Sequence, residues 1–317
     1  MQFIDINQLS NNLKVRNQIL QSLENIIQKQ GFIKMEPDYL EPYETFIQTN
    51  PRIQKESLVK LINSDGSISV LRPDITTNLI KQILPKWQND DDLKVYYTAS
   101  TFRQLPNQPL IETKQLGVEF LGGDARVDET LLSLILTLFN KLGLPFYLEI
   151  GLPSFLKWLI LKLGLSNTET TELKNIIDTK NQYALNGFLL KLKTANPYQT
   201  LLSELFTLQG SIEAILSTLS NYEIDMNILS TIQSLKSLEN MGTMGKNQVK
   251  LTFDLSMMST FDYYDGITFK GYIDTIPYPI LSGGRYDALT KTYGKSVPAS
   301  GFSINMTALL NEVIQDV

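Results

Sequence analysis

The sequence predicts an α+β fold built on a mainly antiparallel sheet. Two observations carry this. Strand-like segments follow one another in meander order, and helical periodicity is gathered into separate blocks. A parallel sheet would instead show regular alternation of single strands with single helices.

Leu13, Leu20, Leu23 and Ile27 recur at helical spacing, which predicts an amphipathic helix over about 12–29 closed by Gly31. Two short apolar runs, 58–62 and 67–71, flank the turn residues 63–66 and predict a β-hairpin. Asp74 opens a further helix with Ile75, Leu79, Ile80 and Ile83, stopped by Pro85. Strands are expected at 93–98 and 114–121, then a helix from Asp128 to Leu142 capped by Gly143, then a strand at 146–150. From 152 to 245 the text is helical throughout and reads as an insertion between two halves of a core, 1–151 and 246–317. Strands resume at 249–255, 267–273 and 300–304, and a short helix follows.

Composition narrows the chemistry before any motif does. The chain of 317 residues contains no Cys and no His. That excludes disulfides, thiolate nucleophiles, Cys/His metal sites and any imidazole of the protein's own. With 28 basic against 33 acidic side chains the net charge is -5, so there is no general attraction to phosphate backbones. No apolar run is long enough for a membrane span and no secretory signal pattern opens the chain, so a cytoplasmic protein is expected.

Four constellations could carry function. Leu71-Arg-Pro-Asp-Ile-Thr76 puts Asp74 and Thr76 at a strand-to-helix junction, where Asp74 can cap the helix, face an ammonium group, or do both. Arg103 ends one strand, and Gln115, Gly117 and Glu119 alternate with Leu116, Val118 and Phe120 on the next. That polar face is either solvated or, with Gly117 as a gap, able to admit a small ligand. Phe261-Asp-Tyr-Tyr-Asp-Gly266 places Tyr263 and Tyr264 together, as packing or as a binding wall. Leu281-Ser-Gly-Gly-Arg-Tyr-Asp287 reads as a double-glycine turn opening a helix, with Gly283, Gly284, Arg285 and Tyr286 available to a ligand.

In this order the pieces resemble the catalytic core of class II aminoacyl-tRNA synthetases, histidyl-tRNA synthetase in particular. Gly31-Phe-Ile-Lys-Met-Glu-Pro37 with Glu41 resembles the first class II motif, a dimer interface in that family. Phe102-Arg103 followed by Gln115-Leu-Gly-Val-Glu119 resembles the second, and the Tyr-Tyr and Gly-Gly-Arg segments resemble two histidine-specific signatures. The resemblance implies that Asp74, Thr76, Gln115, Glu119, Tyr264 and Tyr286 line an amino-acid pocket. It pairs Asp74 with an α-ammonium, and Glu119 and a tyrosine with imidazole nitrogens.

The departures point away from aminoacylation. Ser259 stands where the synthetases carry a catalytic Arg, and Thr307 and Ala308 stand where the third motif supplies Glu and Arg. Neither Ser nor Ala replaces a guanidinium on a phosphate. Residues 104–113, read as a loop, contain no Lys or Arg, and only sixteen residues follow Gly301, too few for an anticodon-binding domain. These features resemble the regulatory subunits of short-form ATP phosphoribosyltransferase, the first enzyme of histidine biosynthesis. That resemblance implies a chain without catalysis or cofactor that dimerises, assembles with a short catalytic subunit, activates it and carries histidine feedback. It also gives the missing histidines a possible meaning, since such a chain can be translated when histidine is scarce. The acidic balance and the cation-free stretch argue against tRNA as a partner. The other reading, a truncated histidine-activating enzyme, predicts histidine-dependent exchange of pyrophosphate into ATP.

Overall fold

A computed structural model describes residues 5–49, 53–88, 92–105, 107–124, 126–192, 196–243, 249–258 and 263–315. The chain opens with helix α1 (Ile6–Lys29), strands β1 (Ile33–Lys34) and β2 (Leu40–Pro42), and helix α2 (Tyr43–Thr49). Strands β3 (Lys60–Ile62) and β4 (Ile68–Leu71) lead into α3 (Thr76–Ile83). The long strands β5 (Leu93–Gln104) and β6 (Leu110–Leu121) precede α4 (Val127–Leu142) and β7 (Phe146–Gly151).

A helical stretch follows: α5 (Pro153–Leu163), α6 (Asn167–Asp178), α7 (Gln182–Lys191), α8 (Tyr198–Ser203), the two-residue β8 (Gln209–Gly210), α9 (Ile212–Leu219), α10 (Met226–Ser234) and α11 (Lys236–Thr243). The chain then returns to the sheet with β9 (Val249–Asp254), β10 (Thr268–Tyr272) and β11 (Leu281–Arg285). It closes with α12 (Asp287–Thr292), β12 (Ala299–Asn305) and α13 (Met306–Gln315).

Among the described residues nine strands form one sheet in the order β1-β5-β6-β12-β11-β10-β7-β9-β8. The run from β5 to β7 is antiparallel throughout. Parallel pairing enters where β1 meets β5 and where β7 meets β9. The expected antiparallel α+β architecture is therefore the one formed. A second, three-stranded sheet, β2-β4-β3, contains the predicted hairpin.

Four sequence expectations are corrected. Helix α1 begins at Ile6, six residues before Asn12, because the Asp5 carboxylate accepts from the N–H groups of Asn7 and Gln8 and caps the first turn. The strands expected at 93–98 and 114–121 run on to Gln104 and back from Leu110, paired as far as Gln104 with Leu110, so only 105–109 remain for the loop. The double glycine is no turn: Gly283 and Gly284 lie in the middle of β11, paired on both sides. Backbone approaches that tightly there because a Cβ on Gly284 would stand 2.3 Å from the Ile267 carbonyl oxygen. Within the helical stretch 152–245, β8 joins the edge of the main sheet against β9.

One face of the sheet is apolar. Leu116, Val118, Phe302, Ile304, Leu281 and Phe269 point to it and pack with Leu131, Ile135 and Phe139 of α4 and with Leu23 and Ile27 of α1. The same core continues without a break into Leu173, Leu201, Ile212 and Ile232 of the helical stretch. Alternation along each strand then sends every second residue to the opposite face, and that face holds the polar positions.

Candidate functional site: a tyrosine-walled cavity over a buried carboxylate

On the polar face a cavity of about 360 Å³ lies between the first turn of α3, the β5–β6 hairpin and the ends of β11 and β12. Six of the sequence-predicted residues line it: Asp74, Thr76, Arg103, Gln115, Tyr263 and Tyr264. Tyr97, Thr101, Thr113, Ser282, Gly301 and Ser303 line it as well and were not anticipated. Their signal was parity. Tyr97, Thr101 and Arg103 are on one face of β5, and Gly301 and Ser303 oppose the inward Phe302 and Ile304 of β12.

Asp74 does cap its helix: one carboxylate oxygen accepts from the Thr77 N–H at 2.8 Å and from the Thr77 hydroxyl at 2.7 Å. The same side chain lines the cavity. Arg72, its neighbour but one, is 2% exposed and stays out of the cavity. Its guanidinium donates to the carbonyls of Ser100 and Pro37, both at 2.6 Å, and lies over the Tyr39 ring, tying the β4–α3 junction to β5. Arg103 reaches back to the Pro73 carbonyl at 3.4 Å.

The polar stripe of β6 is not solvated. Glu119 is 1% exposed and lies just behind the cavity wall. Its two oxygens accept from the Thr76 hydroxyl at 2.6 Å and from the Tyr286 hydroxyl at 2.5 Å. Among the described residues no lysine or arginine forms an ion pair with Glu119 or Asp74. Burial pushes the Glu119 carboxyl up to about 8, against the downward pull of the two hydroxyl hydrogen bonds, and the Asp74 charge adds to the rise. Glu119 is therefore mostly a neutral acid at pH 7.

Two glycines make room for this arrangement. A Cβ on Gly301 would stand 2.0 Å from the nearer Glu119 oxygen. A Cβ on Gly117 would stand 2.3 Å from the Tyr97 ring and hydroxyl, so the gap expected to admit a ligand is filled by Tyr97. Tyr263, Tyr264 and Tyr286 pack as a trio, the first two with centroids 4.8 Å apart and Tyr286 edge-on to both. Burial first, and then neighbouring acids, push the phenols of Tyr97, Tyr263, Tyr264 and Tyr286 upward, so all four keep their protons. The cavity thus offers phenol faces, hydroxyls and a carboxylate, which suits a small ligand with an ammonium group and a ring able to hydrogen-bond.

Three predicted residues belong elsewhere. Tyr286 sits beneath the cavity floor through its bond to Glu119, and Gly283 and Arg285 point to the opposite face of β11. Arg285 Nε pairs there with Asp128 of α4 at 3.1 Å, and Nη1 with Asp287 at 3.6 Å. The alternation of β11 dictates this once the glycines are strand residues rather than a turn. Gly284 shares the cavity face but approaches Tyr264 instead of lining the space. Ser259, expected in place of a catalytic Arg, lies outside the described residues.

Glu41, assigned by resemblance to a dimer-interface motif, is 2% exposed within its own chain and receives the Lys81 ammonium at 2.5 Å. Among the described residues no helix is long and apolar enough to cross a membrane.

Comparison with known proteins identifies the family. The histidyl-tRNA synthetase family model matches residues 7–309. An ATP phosphoribosyltransferase regulatory subunit from Clostridium novyi is 32% identical over 305 residues, covering 91% of this chain and 70% of that protein. Among solved structures, a Bacillus halodurans protein described as an ATP phosphoribosyltransferase regulatory subunit/histidyl-tRNA synthetase superposes with a TM-score of 0.82 at 26% identity, covering 95% of this chain and 79% of that one. The ATP phosphoribosyl transferase (HisG:HisZ) complex from Thermotoga maritima shares the fold, with a TM-score of 0.68 at 19% identity over 92% of this chain and 97% of that one. The chain belongs to the family of ATP phosphoribosyltransferase regulatory subunits, within the histidyl-tRNA synthetase group.

Proposed function

We propose that this protein is the non-catalytic regulatory subunit of a short-form ATP phosphoribosyltransferase. It assembles with the catalytic subunit, activates it, and takes histidine as the feedback effector in the tyrosine-walled cavity. The observation that carries the reading is a cavity that keeps the means of holding an amino acid while losing the means of holding a triphosphate. Asp74 faces it for an ammonium and three tyrosines line it, yet Arg103 is the one arginine lining it among the described residues.

The position where the synthetases place an arginine supports this. Ala308 is 9% exposed and packed into the apolar core, and the Thr307 hydroxyl accepts from the Lys114 N–H at 2.9 Å. A guanidinium at 308 would have to leave that core to reach a phosphate, so restoring ATP chemistry needs more than one substitution.

Self-association as a dimer is part of the proposal. Exposed apolar side chains occur on α1 (Ile6, Leu9, Leu13), on β1 (Ile33) and on the small sheet (Leu40, Leu61, Ile62, Ile68), within or close in sequence to the segment that resembles the first class II motif.

The test is reconstitution. Mixed with the short catalytic subunit, this chain co-migrates with it, raises phosphoribosyl transfer to ATP, and confers inhibition by L-histidine. Alone, it exchanges no pyrophosphate into ATP when histidine is added. Failure to co-migrate or to alter the transfer rate overturns the reading.

A further inference from the structure

The helical stretch that follows β7 reaches the tyrosine wall at two points, each through a lysine. Helix α5 sends Lys157, whose Nζ donates to the Tyr264 carbonyl at 3.1 Å. The turn after α6 sends Lys180, whose Nζ lies 2.6 Å from a carboxylate oxygen of Asp254, the last residue of β9. Tyr263 and Tyr264 line the cavity, and the chain that leads to them leaves the sheet at Asp254. Both ends of that run are therefore held by the helical stretch.

Backbone conformation alone does not account for a lysine at 180. Helix α6 closes with the Lys180 N–H on the Ile177 carbonyl and the Asn181 N–H on the Ile176 carbonyl, a turn whose left-handed residue is ordinarily glycine. Helices α4 and α5 do end on left-handed glycines, Gly143 and Gly164. Lys180 instead holds φ at 47°, where a Cβ is unfavourable. Its side chain supplies the reason. Asp254 is 2% exposed, and one of its oxygens accepts from the Ser256 N–H at 2.8 Å and hydroxyl at 2.6 Å. Lys180 pairs with the other, which would otherwise be a buried carboxylate without a cation.

The run has little slack elsewhere. Met257 packs on β7 so closely that a Cβ on Gly151 would stand 2.9 Å from the Met257 Cβ. Beyond Tyr264 the Asp265 N–H donates to the Arg285 carbonyl at 3.1 Å.

We propose that Lys157 and Lys180 are positioning residues that hold the tyrosine wall against the helical stretch and so couple ligand in the cavity to α5 and α6. This rests on the reading of the cavity as a histidine site and adds the route by which occupancy is felt outside it. A ligand that settles the tyrosine pair settles those helices, and by reciprocity whatever grips those helices changes ligand affinity.

The test is calorimetric titration of L-histidine into the full chain and into its Lys157→Met, Lys157→Arg and Lys180→Gly variants. Glycine at 180 keeps the left-handed turn and removes the ammonium. Affinity falls about fivefold or more in Lys157→Met and in Lys180→Gly, and returns toward the wild-type value in Lys157→Arg. A second readout separates positioning from loss of stability. Saturating L-histidine slows amide exchange in α5 and α6 of the wild type; Lys157→Met loses that slowing and Lys157→Arg keeps it. Unchanged affinity in both loss variants, or a loss that Lys157→Arg does not restore, overturns the positioning role while leaving the histidine site standing. Absence of histidine binding by the wild-type chain overturns the reading of the cavity and the proposal with it.

Discussion

The Thr76 hydroxyl lies 2.6 Å from one oxygen of Glu119, joining the first turn of α3 to the C-terminal end of β6 across 43 residues of sequence. The other oxygen is held by Tyr286, from beyond β11. One buried carboxyl thus ties together three segments that form the cavity, and its charge state bears on stability.

The stability effect has a definite direction. In the unfolded chain Glu119 loses its proton near the ordinary Glu value of about 4.3; in the folded chain it keeps it to about 8. Between those values the native state binds more protons than the unfolded one. Its contribution is complete below the lower value, and stability declines as pH rises through the window, by about 1.4 kcal/mol per pH unit for one proton. Thermal unfolding at pH 5, 6, 7 and 8 should show Glu119→Gln losing less stability with rising pH than the wild type. Parallel curves would mean that Glu119 is ionised in the native protein.

Tyr286→Phe keeps the ring among Tyr263 and Tyr264 but leaves one Glu119 oxygen without its donor. A buried polar group stripped of a partner costs about 1–3 kcal/mol, so the denaturant midpoint should fall with an unchanged slope.

Gly301→Ala inserts a methyl 2.4 Å from the Val118 carbonyl oxygen, where backbone and not a flexible tip must yield. Destabilisation of about 1–3 kcal/mol is expected, with loss of histidine binding because Glu119 is pushed from its seat.

Arg285 provides the contrast, because it stands on the far face of the sheet with Asp128 and Asp287. Arg285→Met should lower stability by leaving the largely buried Asp128 without its cation. Histidine affinity, measured under conditions where the variant is folded, should be unchanged. A marked loss of affinity would place Arg285 in the ligand's path.

Lys81→Met strands the carboxylate of Glu41, 2% exposed, and should cost about 3–5 kcal/mol. Adding Glu41→Gln should recover much of that loss, a double-mutant signature of charge pairing rather than packing.

Much of this architecture was legible in the sequence because periodicity and caps are local. Helix α4 with Gly143, the hairpin β3–β4 and the antiparallel strand order follow from spacing alone. Asp74, Thr76, Gln115 and the tyrosine pair were legible as polar or aromatic interruptions of apolar patterns. The misreadings share one cause. Gly283 and Gly284 look like a turn because nothing local shows that β10 and β12 will crowd them, and Arg285 looks like a ligand group until strand parity turns it away. Glu119 looks like a solvated residue because its burial depends on Tyr97, Thr76 and Tyr286, distant in sequence and brought together only by the sheet.

The central claim, regulation without catalysis, is tested most directly by the phosphoribosyl transfer rate of the short catalytic subunit, measured with and without this chain and titrated with L-histidine. The account predicts a rate that rises on adding the chain and then falls as histidine is added, with the histidine response weakened by Asp74→Ala. A transfer rate indifferent to this chain, with histidine-dependent pyrophosphate exchange by the chain alone, would contradict it.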